Sequence, residues 1–158
     1  DISVGRNAVY LLDRDRRRVF SVSEGAREAR VAADLQTLDA PVSIAVVNDS
    51  VMYVAHKGGL ARVDLNGRRR LPVPVPAAAD LAALQSITWH DGALFAIGGE
   101  GSGQSAMRIR LDPRGTTAIA VDPLGPALSP ASGVYNGVFY YVTRDADGTM
   151  VLRGARVK

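Results

Sequence analysis

Two histidines carry the widest chemical range in this chain. An imidazole can ligate a metal, act as a base or change charge near neutral pH. His56 stands beside Lys57, and His90 stands between Trp89 and Asp91. They are 34 residues apart, with no third ligand at metal spacing. Cysteine is absent, which excludes disulfides, thiol chemistry and thiolate metal sites. A serine nucleophile needs a base and an orienting acid. The one candidate elbow, Gly101-Ser102-Gly103, has its glycines too close together. The glycine-rich stretch Gly98 to Gly103 lacks the Gly-Lys-Ser/Thr signature and the following helix of a phosphate loop. It reads as a hairpin loop. Asp145-Ala146-Asp147-Gly148 starts like a calcium loop but lacks the closing glutamate, and Asp147-Gly148 suits a tight turn instead. No cofactor or metal motif remains.

The arginine triplets Arg16-Arg17-Arg18 and Arg68-Arg69-Arg70 raise the question of nucleic acid. Backbone binding needs several cations on one face. In the register derived below the triplets point to opposite rims, so that footprint is not met. The net charge of +3 is modest.

The elements that position these residues repeat. A serine opens the pattern at Ser3, Ser43, Ser86 and Ser132, spaced by 40, 43 and 46 residues. A turn and an apolar strand follow, with an aromatic at one fixed place: Tyr10, Tyr53, Phe95 and Tyr140. A third strand alternates, as in Met107-Arg108-Ile109-Arg110-Leu111, and a fourth runs outward over Glu28 to Val31, Arg69 to Val73 and Thr117 to Val121. Four strands per repeat at this spacing predict an all-β fold, a β-propeller of four-stranded antiparallel blades. A β-sandwich is the competitor, but it predicts no repeat near 43 residues.

The units span about residues 1–40, 41–84, 85–130 and 131–158. Ala32 to Pro41 and Ala77 to Gln85 read as connectors. Asp122 to Pro130, with three prolines, reads as a loop. Pro72, Pro74 and Pro76 mark an outer edge strand. The fourth unit lacks an obvious outer strand. The expectation is therefore either a closed four-blade ring or part of a larger propeller, whose exposed blade faces would favour a homo-oligomer. The chain starts at Asp1 within a strand pattern, which reads as a processed piece with room for a targeting segment upstream. No apolar run of 18 residues exists to span a membrane.

The repeated aromatics are expected to pack blade against blade, and the serines to hydrogen-bond at strand ends. Binding is expected on the face formed by the second-to-third turns and the connectors. Its candidate residues are Arg14, Arg16, His56, Lys57, Glu100 and Arg144. Their mixed charge suits a protein or peptide partner.

The paired strands around Asp91-Gly92-Ala93-Leu94-Phe95, and the turns Asp64-Leu65-Asn66-Gly67 and Asp112-Pro113-Arg114-Gly115, resemble bacterial propellers of the NHL type. Ser86-Ile87-Thr88-Trp89-His90-Asp91-Gly92 resembles part of the actinobacterial LpqB lipoprotein propellers. The arginine-rich, alanine-rich composition resembles that of GC-rich bacteria. The resemblance implies a non-enzymatic, extracytoplasmic binding or scaffold module of the cell envelope with a regulatory role. The alternative is a fragment of a lactonase-like or lyase-like propeller enzyme.

Overall fold

The computed structural model describes residues 1–66, 69–76, 81, 83–99 and 103–157. It forms four antiparallel sheets arranged as a four-blade β-propeller. Blade 1 is β1 (Ile2–Val4), β2 (Ala8–Asp13), β3 (Arg18–Ser23) and β4 (Arg30–Asp34). Blade 2 is β5 (Ser43–Asn48), β6 (Val51–His56), β7 (Gly59–Asp64) and β8 (Arg69–Pro72). Blade 3 is β9 (Leu84–His90), β10 (Ala93–Gly98), β11 (Ser105–Leu111) and β12 (Ala118–Pro126). Blade 4 has three strands among the described residues: β13 (Ser132–Tyr135), β14 (Val138–Arg144) and β15 (Met150–Arg156). No helix among the described residues is long and apolar enough to cross a membrane.

Strand faces alternate with period two, so a strand covered on both sides must be apolar at every position. β10 shows this, being buried along its whole length. Leu94 and Ala96 pack toward blade 2. Ala93, Phe95 and Ile97 pack toward blade 4. Three apolar cores result. The first joins blades 1 and 2 through Tyr10, Leu12, Val19, Met52 and Val54. The second joins blades 2 and 3 through Tyr53, Ile87, Leu94 and Ile109. The third joins blades 3 and 4 through Phe95, Phe139 and Tyr141. Three of the four repeated aromatics thus pack blade against blade. Tyr140 does not, since it faces away from blade 3.

The repeated serines make a bond the sequence reading did not specify. They reach across to the inner strand of the next blade rather than closing their own strand end. Val46 N–H donates to Ser3 Oγ at 3.0 Å. Ile87 N–H donates to Ser43 Oγ at 3.1 Å. Ser86 and Ser132 share a hydroxyl bond of 3.1 Å. Ser43 Oγ also donates to the Asp1 carboxylate at 2.9 Å, which accepts from Ile44 N–H as well. Removing a partner from a buried donor costs about 1–3 kcal/mol. Ser43→Ala is therefore expected to lower stability by about that much in urea unfolding. Ser132→Ala should cost less, because Ser86 loses only one partly exposed hydroxyl contact.

Three connector or loop readings are corrected. Ala32 to Asp34 belong to β4, where Ala33 pairs with Val19 and Asp34 with Arg18. Asp122 to Pro126 are not loop but the far half of β12. An outer strand has one side in solvent, so proline's missing donor is tolerated there. Register shifts beside Met107 absorb Pro123. Leu84 and Gln85 likewise start β9 rather than end a connector. Residues 77–80 of that connector lie outside the described residues.

Candidate functional site

The second-to-third turns and the connectors do share one face. Leu35 N–H donates to Arg17 O, Lys57 N–H to Asp39 O and Gly99 N–H to Ala83 O. Five of the six candidate residues sit there. Arg14 lies in the β2–β3 turn, and its charge helps hold the Asp1 amino group below its usual range, after burial as the larger cause. Arg16 pairs with Asp13 at 3.6 Å. His56 ends β6 half-buried, and its Nδ1 accepts from Gly58 N–H at 3.1 Å. Burial pushes its imidazole down, against the pull of Asp39. Lys57 pairs with Asp39 at 4.0 Å. Arg144 ends β14 and donates to Gly148 O at 2.6 Å. Glu100 lies outside the described residues. None of these bonds joins one candidate to another.

Several concave surfaces lie elsewhere. One is a central cavity of about 390 Å³ lined by the inner strands of all four blades: Ser3, Ile44, Thr88, Trp89, His90 and Ser132 among others. Another is a groove of about 420 Å³ between blades 2 and 3. Its walls come from the β5–β6 and β11–β12 turns, at the end opposite the candidate face. Trp89 borders both.

The groove is built by register. Tyr53 and Arg62 are direct cross-strand partners on β6 and β7, so their side chains share a face. Tyr53 stacks on Trp89 with ring centroids 5.8 Å apart and planes 24° apart. The Tyr53 hydroxyl donates to Gly115 O at 2.7 Å. Burial, with Asp112 adding and Arg62 opposing, pushes that hydroxyl up to about 12. It stays a donor throughout ordinary pH. Asp112 opens the β11–β12 turn and accepts from Thr116 N–H at 2.6 Å and Thr117 N–H at 2.8 Å. The Thr117 bond, then those from Thr116 and Arg114, hold its carboxyl below the usual range. Its lone pairs are spent on the turn.

The guanidiniums are not spent. Arg62 Nε is buried with no hydrogen-bond partner. No ion pair to Arg62 or Arg114 is present among the described residues. The groove thus offers two cations beside an aromatic wall. That combination recognises a carboxylate carried next to an apolar or planar group. Sequence reasoning missed Arg62 and Arg114. One signal was present: Trp89, the chain's single tryptophan, replaces a valine in the repeat.

Fold and groove together define a β-propeller with a cationic, aromatic-walled cleft between two blades. No family model and no curated protein matches the chain. Solved structures do. A chain of the nidogen/laminin complex is 14% identical with a TM-score of 0.61, over 94% of this chain and 76% of that one. Hydrazine synthase of Kuenenia stuttgartiensis is 10% identical with a TM-score of 0.65, over 98% of this chain and 48% of that one. Virginiamycin B lyase of Staphylococcus aureus is 14% identical with a TM-score of 0.60, over 99% and 55%. The chain spans about half the length of the last two. At these identities the likeness is one of fold.

Proposed function

We propose that this chain is a non-enzymatic binding module that takes an acidic peptide segment of a protein partner in the groove between blades 2 and 3. The observation that carries this is the Arg62 guanidinium, whose buried Nε has no partner, beside the Trp89–Tyr53 stack. An unpaired donor at a groove wall is costly until a ligand acceptor meets it. A peptide carboxylate would bond Arg62 and Arg114 while a neighbouring side chain covers Trp89. The nidogen/laminin neighbour is a propeller seen in a protein complex, which supports this use of the fold. Placement in the bacterial cell envelope, with a regulatory role, follows from the sequence resemblance and is part of the same proposal. The enzymatic alternative draws on neighbours such as the lyase, whose likeness is of fold alone.

Trp89 is the sole tryptophan, so its emission reports on the groove directly. A panel of acidic hexapeptides should shift that emission, and the same peptides with amides in place of carboxylates should not. Arg62→Ala should weaken binding about tenfold, as expected for one charge-assisted hydrogen bond. The triple variant Arg14→Ala, His56→Ala, Arg144→Ala tests the opposite face. Binding lost in the triple variant but unchanged in Arg62→Ala would overturn the groove.

A further inference from the structure

The groove between blades 2 and 3 carries an anion beside its two cations. Among the described residues that line it, the charged ones are Arg62, Arg114 and Asp112. Asp112 follows directly on the last residue of β11, Leu111. Its field reaches the aromatic wall, because its charge adds to the upward push on the Tyr53 hydroxyl. That charge is always present at ordinary pH. The Thr117 bond, with those from Thr116 and Arg114 behind it, keeps the carboxyl below its usual range.

The turn itself does not need the charge. Oδ1 alone accepts both main-chain donors, Thr116 N–H at 2.6 Å and Thr117 N–H at 2.8 Å. Oδ2 accepts from the Thr116 hydroxyl at 3.2 Å. An asparagine amide has the same shape. Its carbonyl oxygen serves two N–H donors, and its NH2 donates to a hydroxyl oxygen. Asparagine would therefore close the same turn. What the carboxylate adds is a negative charge close to two arginines.

That charge decides which anion suits the groove. Attraction to the guanidiniums rises in proportion to the ligand's charge, whereas the cost of taking the ligand out of water rises with its square. The favoured ligand is the one whose charge cancels that of the site. Two arginines alone suit a phosphate group, with its charge of about −1.5 to −2. Two arginines offset by Asp112 suit a single carboxylate.

We propose that Asp112 is the specificity-determining residue of this groove: its carboxylate sets the local charge so that a peptide carboxylate is taken and a phosphorylated side chain is disfavoured. This rests on the acidic-peptide reading above and adds the choice of anion to it. Asp112 acts through its field rather than by contact, since its oxygens are occupied by the donors of the turn.

Two hexapeptides that differ only in carrying one glutamate or one phosphoserine make the test, with Trp89 emission as the readout. The wild-type chain is expected to bind the glutamate peptide about tenfold more tightly at pH 7.5 and low salt. Near pH 5 the phosphate becomes a monoanion, so the gap should close. Guanidiniums, the Tyr53 hydroxyl at about 12 and the Asp112 carboxyl keep their charge across that interval. Asp112→Asn should shift the ratio of the two dissociation constants about tenfold toward phosphoserine, with the emission of the unliganded protein unchanged. Asp112→Ala removes charge and turn acceptor together. It should alter the unliganded emission through Gly115 and Tyr53 and weaken both peptides. A merely structural role would leave the ratio the same in Asp112→Asn. Glutamate binding with an unchanged ratio overturns the assignment and leaves the groove standing. So does a wild type that prefers phosphoserine at pH 7.5, a result that needs no variant to fold. A glutamate peptide that fails to bind the wild type overturns the groove reading itself, and this inference with it.

Discussion

Phe95→Ala is expected to destabilise the domain by about 3–5 kcal/mol, whereas Tyr140→Ala at the same repeat position should cost less than about 1 kcal/mol. Phe95 is fully buried between blades 3 and 4. Its ring lies 5.2 Å from that of Phe139, which in turn stacks on Tyr141 at 5.8 Å. Truncation removes the transfer free energy of a phenyl group and leaves a cavity that two sheets cannot jointly close. Tyr140 has the same place in its repeat but belongs to no apolar core among the described residues. Its ring covers Gly154, where an added Cβ would sit 3.2 Å from Cε1. Urea unfolding of both variants measures the contrast. Equal costs would mean that the repeat position stabilises its own blade rather than the interface.

The second large effect concerns Gly115. Its φ is +66°, a conformation that costs a side-chain-bearing residue about 1–2 kcal/mol. A Cβ there would also press on the Tyr53 hydroxyl, which is held by its bond to Gly115 O. Overpacking adds about 1–3 kcal/mol. Gly115→Ala is therefore expected to cost about 2–5 kcal/mol and to change Trp89 emission, since Tyr53 is the ring stacked on it. Tyr53→Phe removes the hydroxyl that meets the new methyl group. The double variant should then be less destabilised than the sum of the singles. Strict additivity would show that the backbone conformation alone carries the cost.

The fold was legible because its signal is periodic. Ser3, Ser43, Ser86 and Ser132 mark the inner strands, and Tyr10, Tyr53, Phe95 and Tyr140 mark the second strands. Neither set depends on distant contacts to be recognised. The three-stranded sheet of blade 4 among the described residues was legible too, with Met150 to Arg156 as its third strand. Edges were not. β12 runs through Pro123 because outer-strand tolerance depends on which side faces solvent, and sequence alone does not give sidedness. The groove was hidden for another reason. Arg62 reads as an ordinary polar residue of an alternating strand. It becomes a site only when register sets it beside Tyr53 and the next blade brings Trp89 and the Gly115 turn against both. The candidate residues on the other face were chosen for exposure and charge. The structure disposes those described one turn at a time, each tied to its own turn or adjoining connector.

The serine bonds bear on how such a chain can change over generations. Ser3 and Ser43 bind the main-chain N–H of Val46 and Ile87, groups every residue except proline supplies. The joint between these neighbouring repeats thus imposes almost no demand on the identity of the receiving side chain. Substitutions on one inner strand need no matching substitution on the next. A gene built by duplication can then let its copies drift apart while their seams hold, and a single copy is free to acquire a Trp89 that the others lack.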